Sequence, residues 1–210
     1  VGGRIEGQGM ATYPDGSGYE GAFINGRPEG QGKISFADGG TYEGSWVDGK
    51  IAGSGVAVYA NGVRYEGQFE NAVHHGIGVM TSENGYRYEG DWVEGTKHGK
   101  GTITYSDGAI YEGNIVRGVR QGSGSLTLPD GLVYTGSWDN GQINGAGVLT
   151  QANGDRYEGD MVNGQRQGEG IAIYSSGDRY EGTFVGDLRH GKGIFNGADG
   201  YIYNGDWVEG

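Results

Sequence analysis

Tyr42-Glu43-Gly44-Ser45-Trp46-Val47-Asp48-Gly49-Lys50-Ile51-Ala52-Gly53-Ser54-Gly55 is one pass through a unit that this chain repeats at a fixed step. Its leading tyrosine recurs as Tyr19, Tyr42, Tyr65, Tyr88, Tyr111, Tyr134, Tyr157, Tyr180 and Tyr203, always 23 residues apart. A glycine follows each of them two residues later, from Gly21 to Gly205. A constant period of this size marks a repeat architecture, in which most recurrent residues exist to build the repeat. Residues that depart from the pattern are therefore the ones to examine for function.

Within the unit, two short stretches of alternating character are separated by turn residues. Tyr42 to Trp46 predicts one strand and Gly53 to Tyr59 the next, joined by a loop over Val47 to Ala52. Asn61-Gly62 closes the unit and recurs as Asp15-Gly16, Asp38-Gly39, Asn84-Gly85, Asp107-Gly108, Asp130-Gly131 and Asn153-Gly154. Such pairs supply the positive φ angles of tight hairpin turns. Side chains alternate along a strand, so Tyr42, Gly44 and Trp46 share a face with Gly53, Gly55 and Ala57. The place of Ala57 is apolar throughout, for example Ile34, Met80, Ile103 and Phe195. The opposite face carries Glu20, Glu43, Glu66, Glu89, Glu112, Glu158 and Glu181, with Arg64, Arg87, Arg156 and Arg179 two residues before their own glutamates. Each large ring is expected to lie across glycines of neighbouring strands, since a glycine admits close approach and an aromatic can cover it. The sheet should then curl with its ring face inward.

The chain has 210 residues, with 49 glycines, 15 tyrosines, 4 tryptophans, 3 prolines and no cysteine. The aromatic content argues against disorder, and the absence of a three-residue glycine period argues against collagen. Without cysteine there is no disulfide or thiol chemistry. A net charge of −12 opposes a nucleic-acid partner, which requires clustered Lys and Arg at phosphates. It also weakens attraction to an anionic membrane. Val1 and Gly210 both fall inside a repeat, so the sequence reads as part of a longer protein.

The pattern Tyr-Glu-Gly-x-Trp-x-x-Gly-x-x-x-x-Gly-x-Gly, met residue by residue in Tyr42 to Gly55 and Tyr88 to Gly101, resembles the MORN (membrane occupation and recognition nexus) repeat. The resemblance covers the whole chain. It implies an all-β, elongated, single-layer antiparallel β-hairpin solenoid of nine 23-residue repeats, twisted and curled around an aromatic groove. Residues 1–18 would form an N-terminal half-repeat, and residues 19–210 one continuous array with units starting at 19, 42, 65, 88, 111, 134, 157, 180 and 203. Arrays of this family serve as scaffolds, peptide-binding grooves, lipid-associated tethers and accessory segments of enzymes such as phosphoinositide kinases and SET-domain methyltransferases. The sequence departs from the family pattern where Ile115 and Met161 replace the ring at the Trp place, and where Thr135 and Asn204 replace the Glu. Ala72 stands where the loop glycine should, and Gly186 is one place early, leaving Asp187 there.

Chemistry-bearing motifs are few. Gly16-Ser17-Gly18-Tyr19-Glu20-Gly21 fits a dinucleotide fingerprint but lacks the strand-turn-helix context that gives it meaning. Gly44 to Lys50 fits most of a P-loop, yet Ile51 stands where a hydroxyl must hold magnesium. His75, His98 and His190 share one repeat place, too far apart for one zinc ion. No nucleophile–base set can be assembled, and no catalytic residue, cofactor or metal is expected. The expected function is a non-catalytic scaffold that takes a partner protein or peptide in its groove, lined by Tyr42, Trp46, Tyr88, Trp92, Tyr134 and Trp138. Arg27, Lys50, Lys97, Arg120, Arg166 and Arg189 fall in the loops before the Gly-x-Gly. They suggest a basic edge for an anionic phospholipid surface, which is the alternative reading. A third is the regulatory array of an enzyme lying outside these residues. The expected location is cytoplasmic or membrane-peripheral. Uncapped terminal strands, near Gly7 to Tyr13 and Tyr203 to Val208, predict end-to-end self-association.

Overall fold

The computed structural model describes residues 3–210, so residues 1 and 2 of the expected half-repeat lie outside it. The described residues form eighteen strands and no helix. They divide into two compact units, one ending at Ser106 and the other Asp107–Gly210. The first holds β1 (Gly7–Thr12), β2 (Gly18–Ile24), β3 (Arg27–Ser35), β4 (Thr41–Val47), β5 (Lys50–Val58), β6 (Arg64–Glu70), β7 (Val73–Thr81), β8 (Arg87–Val93) and β9 (Thr96–Thr104). The second holds β10 (Ile110–Val116), β11 (Val119–Thr127), β12 (Val133–Asp139), β13 (Gln142–Thr150), β14 (Arg156–Val162), β15 (Gln165–Ile173), β16 (Arg179–Val185), β17 (Leu188–Asn196) and β18 (Ile202–Trp207). Within each unit every strand pairs antiparallel with the next in the chain.

The expected loop from Val47 to Ala52 is instead a two-residue turn. Asp48 and Gly49 both have positive φ, 48° and 79°, the type I′ geometry whose twist matches the flanking strands. Lys50, Ile51 and Ala52 therefore belong to β5. The Asn-Gly edge has the other chemistry. Tyr59 N donates to Val63 O at 2.8 Å and Gly62 N to Tyr59 O at 2.9 Å. Only Gly62 has positive φ there, while Asn61 Oδ1 accepts from Val63 N. That is a type I turn closed by a left-handed glycine, so the Asn or Asp contributes its side chain and not an unusual backbone angle.

The Gly-x-Gly pair separates into two physical roles. Gly44 faces Gly55 across β4 and β5, but Trp46 faces Ile51. Three residues of β5, Ala52 to Ser54, thus bulge opposite Ser45. Gly53 sits in that bulge at φ +67°, and a Cβ there would meet Ser45 on the face away from the rings. Gly53 is consequently not part of the ring face, contrary to strict alternation, because the bulge re-aims it. Gly55 is needed for space, since a Cβ on it would come within 2.4 Å of the Tyr42 ring. Across the first unit Gly9, Gly21, Gly32, Gly44, Gly55, Gly67, Gly78, Gly90 and Gly101 pair successively. The repeat-leading Tyr19, Tyr42, Tyr65 and Tyr88 lie on this glycine ladder, and the Tyr42 hydroxyl donates to Ser45 O at the bulge, 3.0 Å away.

The rings themselves form the core. In the first unit an unbroken edge-to-face chain runs Phe23, Tyr19, Trp46, Tyr42, Phe69, Tyr65, Trp92, Tyr88, with centroids 5.0–5.6 Å apart. Such contacts contribute about 0.5–1.5 kcal/mol each beyond area burial. Trp46 also donates its Nε1 proton to Gly32 O of the preceding repeat at 3.2 Å. In the second unit Met161 takes the ring place between Tyr134 and Tyr157.

Candidate functional site

The six residues expected to line a groove, Tyr42, Trp46, Tyr88, Trp92, Tyr134 and Trp138, are all buried, between 0 and 6% exposed. They are the packed layer of the sheet, consumed by glycine and by one another. Burial pushes the Tyr42 and Tyr65 phenols up to about 12.

The basic residues divide between two repeat places that differ by a single step along the strand. Arg27 and Lys50 open β3 and β5 and are exposed. Arg27 pairs with Asp48 of the next repeat. Lys97, Arg120, Arg166 and Arg189 stand one residue further along, directly across from the ring place, and so point to the ring face. The Arg120 guanidinium lies 4.3 Å from the Trp138 ring centroid, and that of Arg189 4.3 Å from Trp207. Arg166 sits 5.2 Å from Phe184. Arg120 also donates to Gly141 O at 2.6 Å, and Arg166 to Asp187 O at 2.6 Å. These cations staple one repeat to the ring and turn of the next. Arg27 and Lys50 thus point away from the face that carries Lys97 in the first unit, because a one-residue step on a strand changes the face.

His74 occupies the same place in its repeat. It stacks on Tyr65 with centroids 3.7 Å apart and meets Tyr59 Oη through Nε2 at 2.6 Å. Burial pulls its imidazole down to about 4. Among the described residues no three His, Asp or Glu side chains gather in a way that could hold a metal.

The face opposite the rings has a different surface. Its ladder of charges pairs as the sequence indicates, with Arg64–Glu66, Arg87–Glu89 and Arg179–Glu181 at 2.6 Å and Arg156–Glu158 at 2.7 Å. In the first unit a hollow of about 780 Å³ opens on this face across β3 to β7. Its floor is the bare backbone of Gly44, Gly55 and Gly67, and its walls include Lys33, Glu43, Val56, Glu66, Gln68 and Ile77. Ile77 is 66% exposed. Sequence reasoning passed over Val56, Gln68 and Ile77 because their three repeat places carry no fixed residue type. The available signal was an unpaired aliphatic residue among the outward-facing positions.

The MORN repeat family model matches residues 1–18, 19–41, 42–64, 65–85, 88–110, 111–133, 134–156, 157–179 and 180–200. The chain belongs to the MORN repeat family. No curated protein matches it. Among solved structures, its fold is similar to the G-box domain of the microcephaly protein CPAP, with a TM-score of 0.52, 14% identity, and 96% of this chain and 100% of that chain covered. It also resembles the TCP10 domain of Danio rerio CPAP in complex with a STIL peptide, at a TM-score of 0.47 and 14% identity, covering 95% of this chain and 99% of that one. The SAS-4 TCP domain of Drosophila melanogaster, in complex with a proline-rich motif of Ana2, aligns at 0.48 and 14% identity over 88% of this chain and 97% of that chain.

Proposed function

We propose that the chain is a non-catalytic scaffold that holds an extended segment of a partner protein in the hollow of its first unit, on the face away from the rings. The observation that carries this reading is the floor of bare glycine backbone between Gly44 and Gly67. Glycines let another main chain approach closely, and here the ring layer behind them keeps that floor rigid. The flanking Val56 and Ile77 offer apolar contacts, while Glu43 and Glu66 outnumber Lys33 among the lining charges. An extended segment alternating basic and apolar residues suits this lining, since side chains of an extended chain alternate with period two. The test is selection of extended peptides from a random display library on the intact protein. The selected peptides are then titrated against a Val56→Lys, Glu66→Lys double variant. Binding should weaken at least about tenfold, the order expected when a lining charge pair is reversed. Peptides that bind the variant as tightly as the parent protein would refute the reading.

A further inference from the structure

Lys97 stands apart from the other cations of the ring face. It lies second in β9, directly across from Trp92, and its ammonium nitrogen donates to Tyr86 Oη. The nitrogen is 4.5 Å from the Tyr86 ring centroid, 5.3 Å from that of Tyr88 and 6.0 Å from that of Trp92. Tyr88 and Trp92 are buried. Tyr105 packs on Tyr86, and His74 on Trp92. Among the described residues no carboxylate lies within ion-pair distance of Lys97. Lys33 and Lys192, by contrast, face Glu43 at 3.7 Å and Asp206 at 2.7 Å.

We propose that Lys97 is a nucleophilic lysine, a modification site for small acyl donors such as acyl phosphates. A lysine is nucleophilic when desolvation and the lack of an anionic partner favour its neutral amine. Lys97 meets both conditions in its geometry, and burial holds its ammonium below the ordinary lysine range. The ring contacts oppose this, but each is worth only about 0.5–1 kcal/mol at such a partly open site, and two lie near the distance limit. Losing the proton does not cost the Tyr86 contact, because the phenol can turn and donate to the neutral nitrogen. Burial raises the Tyr86 phenol, so its own proton stays in place. Arg120, Arg166 and Arg189 share the repeat place but cannot deprotonate, and an acyl group on the His74 imidazole hydrolyses readily, so Lys97 is the member of that row that would keep a stable acyl group. In the reaction the Nζ lone pair adds to the acyl carbon and an N–C bond forms. The C–O bond to phosphate breaks, its electron pair leaves on the phosphate, and the nitrogen releases a proton to solvent. No oxidant is required. The resulting amide carries no charge, so acylation removes the cation from the Tyr86, Tyr88 and Trp92 rings.

The experiment treats the intact folded protein with limiting acetyl phosphate at several pH values from neutral to about 11, spanning the ordinary lysine range, and maps acetylation by peptide mass spectrometry. Lys33, Lys50, Lys100 and Lys192 serve as internal references. Each unit of pKa lowering raises the free-amine fraction about tenfold near neutral pH. Lys97 should therefore react several-fold faster than Lys50 and Lys100, and its rate should level off at a lower pH than theirs. In the urea-unfolded chain the advantage should vanish. A Lys97 rate equal to or below that of Lys50 and Lys100 in the folded protein overturns the proposal, as does a preference that persists after unfolding.

Discussion

The ring of Tyr42 lies so close over Gly55 that a methyl group on that glycine would sit 2.4 Å from Tyr42 Cε2. The glycine and the tyrosine are thus one packing element divided between two strands. Gly55→Ala is expected to destabilise the first unit by about 1–3 kcal/mol, the range for forcing an extra methyl into a filled core. Urea denaturation followed by tryptophan fluorescence measures it. Gly118→Asn makes the contrast, since it lies in a turn with nothing within 4 Å and asparagine tolerates left-handed angles. It should shift the midpoint far less.

Ala72 takes the second turn position at φ +66°, where the other units mostly place glycine. A left-handed non-glycine residue costs about 1–2 kcal/mol. Ala72→Gly should recover about 1 kcal/mol, after allowance for the extra freedom glycine gains when unfolded. Asp187, at the matching place with φ +70°, is a different case, because its carbonyl and carboxylate accept from Arg166. Asp187→Gly should bring no gain. Thermal melts of both variants against the parent decide the matter.

His74 gives stability a defined pH dependence. Its folded pKa, about 4, lies below the unfolded value of 6.5. The neutral form is the folded form, so its contribution is fully present above pH 6.5. It is lost as pH falls toward 4, because the unfolded chain takes up the proton first. Allowing for partial exposure, the loss should be on the order of 1 kcal/mol near pH 5. His74→Ile, which installs the residue found at Ile51 and Ile143, should flatten the profile between those limits. An unchanged profile would falsify the assignment.

Arg120→Gln should cost about 1–2 kcal/mol by removing the guanidinium from Trp138 and the bond to Gly141 O. Arg27→Gln should stay within about 0.5 kcal/mol, as is usual for an exposed ion pair. The difference in denaturation midpoint between these two variants tests the division of the basic residues into two places.

Strands β1 and β18 each pair on one side only among the described residues, and both carry exposed apolar side chains, with Met10 82% and Ile202 66% exposed. Unpaired edges of this kind recruit further strands. Concentration-dependent dimers or longer assemblies are expected by light scattering. A Met10→Lys, Ile202→Lys variant should suppress them. A parent protein that stays monomeric at every concentration would count against edge pairing.

Much of this fold can be read from spacing alone. Tyr42, Gly44 and Trp46 announce a strand face, Asn61-Gly62 announces a turn, and Arg64 two places before Glu66 announces an ion pair on the other face. The bulge at Gly53 is less legible, because it arises from how β5 pairs on either side of Ser45 in another strand. The tight Asp48-Gly49 turn is hidden for a related reason, since Lys50 to Ala52 look like loop until their partners are known. Lys50 and Lys97 look alike in sequence, yet one residue of offset sends them to opposite faces. The burial of Trp46 and Trp92 depends on Tyr19 and Tyr65 of the neighbouring repeats, which no single unit contains.

The bonds that join repeats recur at constant chain offsets. Trp46 to Gly32, Trp92 to Gly78 and Trp138 to Gly124 each span 14 residues, and Asp48 to Glu29 spans 19. Removing 23 consecutive residues, or a multiple of 23, brings together two ends that already match, whereas removing any other number misaligns the rings with their glycines at the junction. Length in this protein is therefore quantised: its gene can shrink or grow by whole 23-codon steps, and a deletion of one or two codons within a strand is more damaging than the loss of an entire repeat.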